Sequence, residues 1–131
     1  MKKISKFTEE DTKRIDITPA IMGKGWDSRS QVRMEYAFTS GRIMVRGNEI
    51  RKGKQKKADY LLFYKPSLPL AIVEAKSCYK SISQGIQQGI NYAQTLGVPF
   101  VYSSNGAGFY EHDLLTGQER ELALTDFPTP D

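Results

Sequence analysis

The sequence is poor in the residues that build cross-links and soft metal cages. Cys78 is its single cysteine and His112 its single histidine, which excludes an internal disulfide and a Cys/His zinc site. No apolar run approaches the ~20 residues needed to cross a bilayer. The opening stretch MKKISKFTEEDTKR lacks the apolar core of a secretory signal. These absences predict a cytoplasmic chain with no membrane partner. Internal repeats and low-complexity tracts are also missing, and at 131 residues, 39% of them hydrophobic, the chain has the size and composition of one packed domain.

Charge is unevenly spread. Residues 81–131 hold one Lys or Arg against six acids, whereas residues 1–80 hold 18 against nine. The densest basic stretch carries Arg42, Arg46, Arg51, Lys52, Lys54, Lys56 and Lys57 around one acid, Glu49. Such a cluster attracts a polyanion by counterion release, and nucleic acid is the foremost partner of that kind. On charge alone, a solvated basic loop with no partner fits equally well.

Periodicity outlines the elements. Thr8 and Asp11 form a T-x-x-D start, with Ile15, Pro19 and Met22 at roughly helical spacing and Gly23 and Gly25 as stops, so a first helix interrupted near Pro19 is expected. Val32, Met34, Tyr36 and Phe38 alternate with Arg33, Glu35, Ala37 and Thr39, the signature of a strand with one apolar face. The basic segment reads as a hairpin and its loop. The runs Ala58–Tyr64 and Leu70–Ala75 read as neighbouring buried strands separated by a five-residue link, 65–69, with two prolines. Tyr60, Phe63, Tyr64, Phe100 and Tyr102 are taken as core rather than as base-stacking platforms. Residues Ser81–Leu96 place Ile82, Ile86, Ile90 (or Gly89) and Ala93 on one helical stripe, closed by Gly97. Strands are expected at 99–103, 108–115 and 119–124, and the closing FPTPD reads as a point where the chain leaves the fold. The order of helix, strands, helix, strands predicts an α/β fold, a mixed sheet with helices packed on it.

Two acids stand where acids are costly. Asp59 opens one apolar strand and Glu74 closes the next, and a buried carboxylate costs several kcal/mol unless a cation or hydrogen bond compensates. Lys76 follows Glu74 by two residues, so on a strand both side chains leave the same face about 6–7 Å apart. Asp59, Glu74 and the Ala75 carbonyl are hard oxygen ligands suited to Mg²⁺, which keeps several waters and needs few protein ligands. Such an ion lowers the pKa of water and neutralises charge on a phosphate, and Lys76 is placed to position that water or stabilise the charge. Spacing alone equally allows a Glu74–Lys76 ion pair at a fraying strand end with Asp59 capping a turn.

Asp59 followed by Glu74-Ala75-Lys76 resembles the PD-(D/E)xK nuclease motif without its proline, and Gln88 to Tyr92 resembles the QxxxY motif of one branch of that superfamily. Further stretches along nearly the whole chain (Glu9–Arg14 leading to Gly25-Trp26-Asp27, Lys57–Tyr60, SSNGAGFYEHD and FPTPD) are similar to the N-terminal endonuclease domain of the restriction subunit of type I restriction-modification enzymes. The resemblance implies a restriction-endonuclease-like fold cutting double-stranded DNA with Mg²⁺. It implies Glu9, with Glu10 adjacent, as a further metal ligand or water-positioning acid, and Gln88 and Tyr92 as holding the lysine or contacting the DNA backbone. It implies modification and specificity subunits as partners, and ATP-driven motor domains downstream. ATP would serve those domains, since this chain has no GxxxxGK[ST] loop to bind it. Two other readings stay open at this point: a nucleic-acid-binding module of the same fold without catalysis, and a small protein-interaction domain with a basic flank. No helix carries a row of base-reading side chains, so any DNA contact by the basic stretch is expected to be nonspecific.

Overall fold

A computed structural model describes residues 7–39 and 55–131 in full, and 42–45 and 49–52 as backbone. The chain opens with a helical segment made of α1 (Glu9–Thr12), a π-helical turn (Lys13–Ile17) and α2 (Thr18–Met22). Strand β1 (Val32–Thr39) follows, then a small hairpin of β2 (Arg42–Val45) and β3 (Glu49–Lys52), then β4 (Gln55–Lys65) and β5 (Leu68–Ala75). Helix α3 (Ile86–Leu96) leads to β6 (Phe100–Ser104), β7 (Gly108–Asp113) and β8 (Glu119–Ala123). The main sheet has the order β1-β4-β5-β6-β7-β8. Only β5 and β6, joined through α3, run parallel among its neighbouring pairs. This is the mixed sheet with flanking helices that the element order predicted. Among the described residues no helix is long and apolar enough to cross a membrane.

The sheet has an apolar cluster on each face. Ile17, Ile21, Trp26 and Phe127 cover Tyr60, Leu62, Val73 and Tyr102 on one side. Ala93 and its neighbours on α3 cover Leu61, Ile72 and Val101 on the other. The adjacent pairs Leu61/Leu62, Ile72/Val73 and Val101/Tyr102 divide between the two, as alternation along a strand requires.

Several expectations are corrected. Thr8 and Asp11 do form the capping box, the Asp11 N–H donating to Thr8 Oγ1 at 3.1 Å and the Thr8 N–H to Asp11 Oδ2 at 2.9 Å. The irregularity lies before Pro19, however: a proline offers no N–H and its ring crowds the carbonyl four residues back, and here that carbonyl, of Ile15, belongs to the π turn. The extra residue rotates the buried stripe to Lys13, Ile17 and Ile21, and Ile15 is 47% exposed.

Nor does β1 keep one apolar face. Val32 joins the first cluster and Phe38 the second, while Met34 is 45% exposed. The cause is Glu35, whose φ of 54° places an L residue in left-handed space and turns the strand over. Its neighbour β4 turns with it, since Ala58 lies in the second cluster and Tyr60 in the first. The link between β4 and β5 shrinks to Pro66-Ser67, and Pro69 is absorbed at an irregularity where it pairs with Phe63. Tyr64 is 48% exposed, and Phe63 and Phe100 are half-buried at the edges of the clusters. The strand expected to reach residue 115 stops at Asp113, where a tight turn begins. Finally, the closing segment begins inside the fold: Phe127 is buried with its ring 4.6 Å from Phe109 and 4.9 Å from Tyr102, and the Trp26 indole N–H donates to the Pro128 carbonyl at 2.8 Å.

Candidate metal and phosphate site

The last ladder pair between β4 and β5 before the strands part is Tyr60 with Val73. The next residues in register are Asp59 and Glu74, and their side chains bridge the opening. The Asp59 N–H donates to Glu74 Oε2 at 2.9 Å, and the Ala75 N–H donates to Asp59 Oδ2 at 2.8 Å. Opposite residues of an antiparallel pair share a face, so the two carboxylates converge rather than lying on opposite sides of the sheet. β5 stays fixed by β6, where Glu74 pairs with Ser103 and Ala75 with Ser104, and the Lys76 N–H extends that ladder to the Ser104 carbonyl at 2.8 Å.

Helix α3 comes close enough to bury Glu74 because glycines face it. A Cβ on Gly85 would stand 3.2 Å from Glu74 Cβ and 3.3 Å from Lys76 Cε, and one on Gly89 would stand 2.5 Å from Val101 Cγ1 and 3.5 Å from Glu74 Cγ. Gly85 thus lies against both Glu74 and Lys76 from one side, and Gly89 against Glu74.

Burial pushes the Glu74 carboxyl up to about 8, reinforced by the negative charge of Asp59 and opposed by the Asp59 N–H and the charge of Lys76. Glu9, in the first turn of α1, is also raised, by burial and by Asp59, while Lys76 and Lys13 act in the other direction. Glu9 and Glu74 therefore both feel the charges of Asp59 and Lys76. A group of carboxylates held back from ionising by burial and by each other is relieved by a cation. Among the described residues no three Asp, Glu, His or Cys side chains are gathered so as to enclose an ion by themselves. Asp59, Glu74 and the Ala75 carbonyl could offer only a sparse set of oxygen donors, the kind that hard divalent cations accept when water completes their coordination.

Gln88 and Tyr92 are paired with each other, Gln88 Nε2 donating to Tyr92 Oη at 2.6 Å. Tyr92 meets the edge of Phe38 at 5.1 Å and lies 6.0 Å beneath Lys56 Nζ. Among the described residues neither makes a hydrogen bond to Asp59, Glu74 or Lys76. Of the basic stretch, Arg46 and Lys54 lie outside the described residues, and Arg42, Arg51 and Lys52 sit on β2 and β3, described as backbone. Lys56 and Lys57 open β4 beside the site, and Lys57 forms a 2.8 Å ion pair with Glu35.

Sequence reasoning missed two residues. Lys13 is 2% exposed, and its Nζ is bonded to Glu35 and lies 3.5 Å from Asp59 Oδ1 and 3.4 Å from Glu10 Oε1. Burial would lower its pKa, but the bond to Glu35 and the charges of Asp59, Glu35 and Glu10 outweigh this and hold it above the ordinary lysine range. Glu35 is lowered, first by its bond to Lys13 and then by its bond to Lys57. The available signal was a lysine in line with Ile17 and Ile21 at intervals of four, since a charge on a buried stripe is informative. Glu35 gave none, because an acid at an alternating polar position reads as solvated.

The family model for the type I restriction enzyme R protein N terminus matches residues 6–120. The chain is 40% identical to the EcoAI endonuclease subunit of the type I restriction enzyme of Escherichia coli over 97% of its own length, and it spans 16% of that protein. It also resembles a solved fragment of a protein from Vibrio vulnificus assigned as the HsdR subunit of a type I restriction enzyme, with a TM-score of 0.78 and 44% identity, over 94% of this chain and 24% of that one.

Proposed function

Because the chain belongs to the family of type I restriction enzyme R protein N-terminal domains and has the mixed α/β sheet of a restriction-endonuclease-like fold, we propose that it is a Mg²⁺-dependent DNA endonuclease domain. Its reaction is hydrolysis of phosphodiester bonds in double-stranded DNA, with water as the nucleophile. One observation carries this reading: Asp59 and Glu74 are locked together by reciprocal contacts to each other's strand at the point where β4 and β5 separate, with Lys76 on the same face. Two mutually repelling, half-dehydrated carboxylates are a poor way to stabilise a sheet and a good way to hold a divalent ion.

Asp59, Glu74 and the Ala75 carbonyl would hold the ion, with Glu9 on α1 as the acid that would position a water beside it, and Mg²⁺ bound there would supply charge against the phosphate and lower the pKa of water. The chain's own residues do the rest. Burial favours the protonated form of Glu74, so a cation held there would have to displace that proton, which would tie loading of the site to pH. The Asp59 and Ala75 N–H groups fix the carboxylate orientations, so the ligands need little rearrangement. Lys76 stands on the face of Glu74 and stabilises charge growing on the phosphate. Lys56 and Lys57 border the site at the start of the long β4 and contact the duplex backbone without reading its sequence, alongside the rest of the basic stretch. Gln88 and Tyr92, beside Lys56 on α3, extend that contact. Target choice then belongs to the specificity subunit of a cytoplasmic complex that also contains a modification subunit, and ATP to motor domains outside this chain.

The test is cleavage of double-stranded DNA by the full subunit in its complex, carrying Asp59→Asn, Glu74→Gln or Lys76→Ala. Each variant should lose cleavage by at least a hundredfold while circular dichroism stays native. Normal cleavage by any one would remove that residue from the mechanism. DNA binding independent of Mg²⁺ with no cleavage by the wild-type complex would make the chain a binding module instead.

A further inference from the structure

Lys13 is a buried cation surrounded by acids. Its ammonium group is bonded to Glu35 and lies 3.5 Å from Asp59 Oδ1 and 3.4 Å from Glu10 Oε1, with the Tyr60 ring centroid 6.0 Å away. A lysine 2% exposed is stable only when such partners compensate for lost water. The backbone is bent to provide one of them. Glu35 takes a left-handed φ of 54° between Met34 and Tyr36, whose register partners Tyr60 and Ala58 flank Asp59 on β4, a conformation that an L residue keeps only where surrounding structure demands it. The π turn that begins at Lys13 rotates this side chain onto the buried stripe, and such turns are frequent at functional sites.

The consequence concerns Asp59. Its Oδ2 faces Ala75 and the Glu74 side, whereas its Oδ1 faces the ammonium. An aspartate with both oxygens open can bridge two divalent ions, but here one side is already filled by a fixed positive charge. We propose that Lys13 is a built-in counter-cation that takes the place of a second divalent ion, so that this site binds a single metal ion, on the Glu74 side of Asp59. Lys13 is thereby a positioning residue, acting through Asp59 rather than on the substrate. The inference rests on the reading of Asp59 and Glu74 as metal ligands.

Binding of Mn²⁺ to the protein, followed by calorimetry and by electron paramagnetic resonance of free Mn²⁺, tests it without recourse to cleavage. The wild-type chain should bind one Mn²⁺, Lys13→Arg should also bind one, and Lys13→Met should take up a second ion once the ammonium is gone. Glu74→Gln and Asp59→Asn should weaken the first ion at least tenfold. Two ions on the wild-type chain, both weakened by Asp59→Asn, would overturn the proposal even if Lys13→Met did not fold. One ion on both the wild-type chain and a folded Lys13→Met variant, with unchanged affinity, would overturn it as well. Mn²⁺ binding indifferent to Glu74→Gln and Asp59→Asn would instead remove the metal-site reading beneath it.

Discussion

Replacing Glu74 by glutamine should make the protein more stable at alkaline pH, and the size of the gain follows from the burial of the carboxyl. The folded chain holds the Glu74 proton up to about 8, while the unfolded chain releases it near the 4.5 of a free glutamate. Between those values the folded state binds more protons, so stability falls as pH rises, the reverse of the usual behaviour of a salt-bridged acid. Linkage gives a loss of roughly 3 kcal/mol from about pH 5 to about pH 8 for this one group. Glutamine has nearly the same shape, keeps an oxygen to accept the Asp59 N–H, and cannot ionise. Urea unfolding of both proteins at the two pH values, with a chelator present, isolates the effect because all other titrating groups are common to both. The variant should lose at least 1 kcal/mol less than the wild type over that interval. Adding Mg²⁺ at the higher pH should raise the stability of the wild type and leave the variant nearly unchanged, as a ligand that binds only the folded state must. Equal losses in the two proteins would show that Glu74 ionises freely, and the argument from a cramped acid pair would fail.

Two further substitutions probe the packing that creates the site. Gly89→Ala places a methyl group 2.5 Å from Val101 Cγ1, so it should cost about 1–3 kcal/mol despite the better helix propensity of alanine, and a rise in thermal stability would refute the close approach of α3. Phe127→Ala removes a ring packed on Phe109, Tyr102 and Trp26, for an expected loss of about 3–5 kcal/mol in chemical denaturation; a loss below about 1 kcal/mol would mean that this segment is not part of the core.

The sheet and its helices were legible because each is written locally. The runs Ala58–Tyr64 and Leu70–Ala75 are apolar enough to specify buried strands, Gly97 marks the end of α3, and the T-x-x-D pattern at Thr8 marks the start of α1. The pairing of Asp59 with Glu74 was legible too, since adjacent short strands with an acid at each facing end leave few places for the charge to go. What stayed hidden depends on the phase of the chain rather than its composition. A single left-handed residue, Glu35, carries β1 from one apolar cluster to the other, and a one-residue widening of the first helix moves Lys13 onto the stripe that Ile15 was expected to occupy.

The sequence by itself therefore determined which segments form strands and helices, that two acids and a lysine share one place, and that basic charge gathers in the first two-thirds of the chain. Tertiary structure alone decided how that place is furnished. It brought Lys13 and Glu35 to Asp59 from segments 46 and 24 residues away, set glycines of α3 against Glu74, and returned Phe127 to the core beside Trp26. Periodicity reports the face a residue presents only while the backbone keeps its regular step. Once a π turn or a left-handed residue breaks that step, the partners of every later side chain are fixed by what the folded neighbours can bury and neutralise.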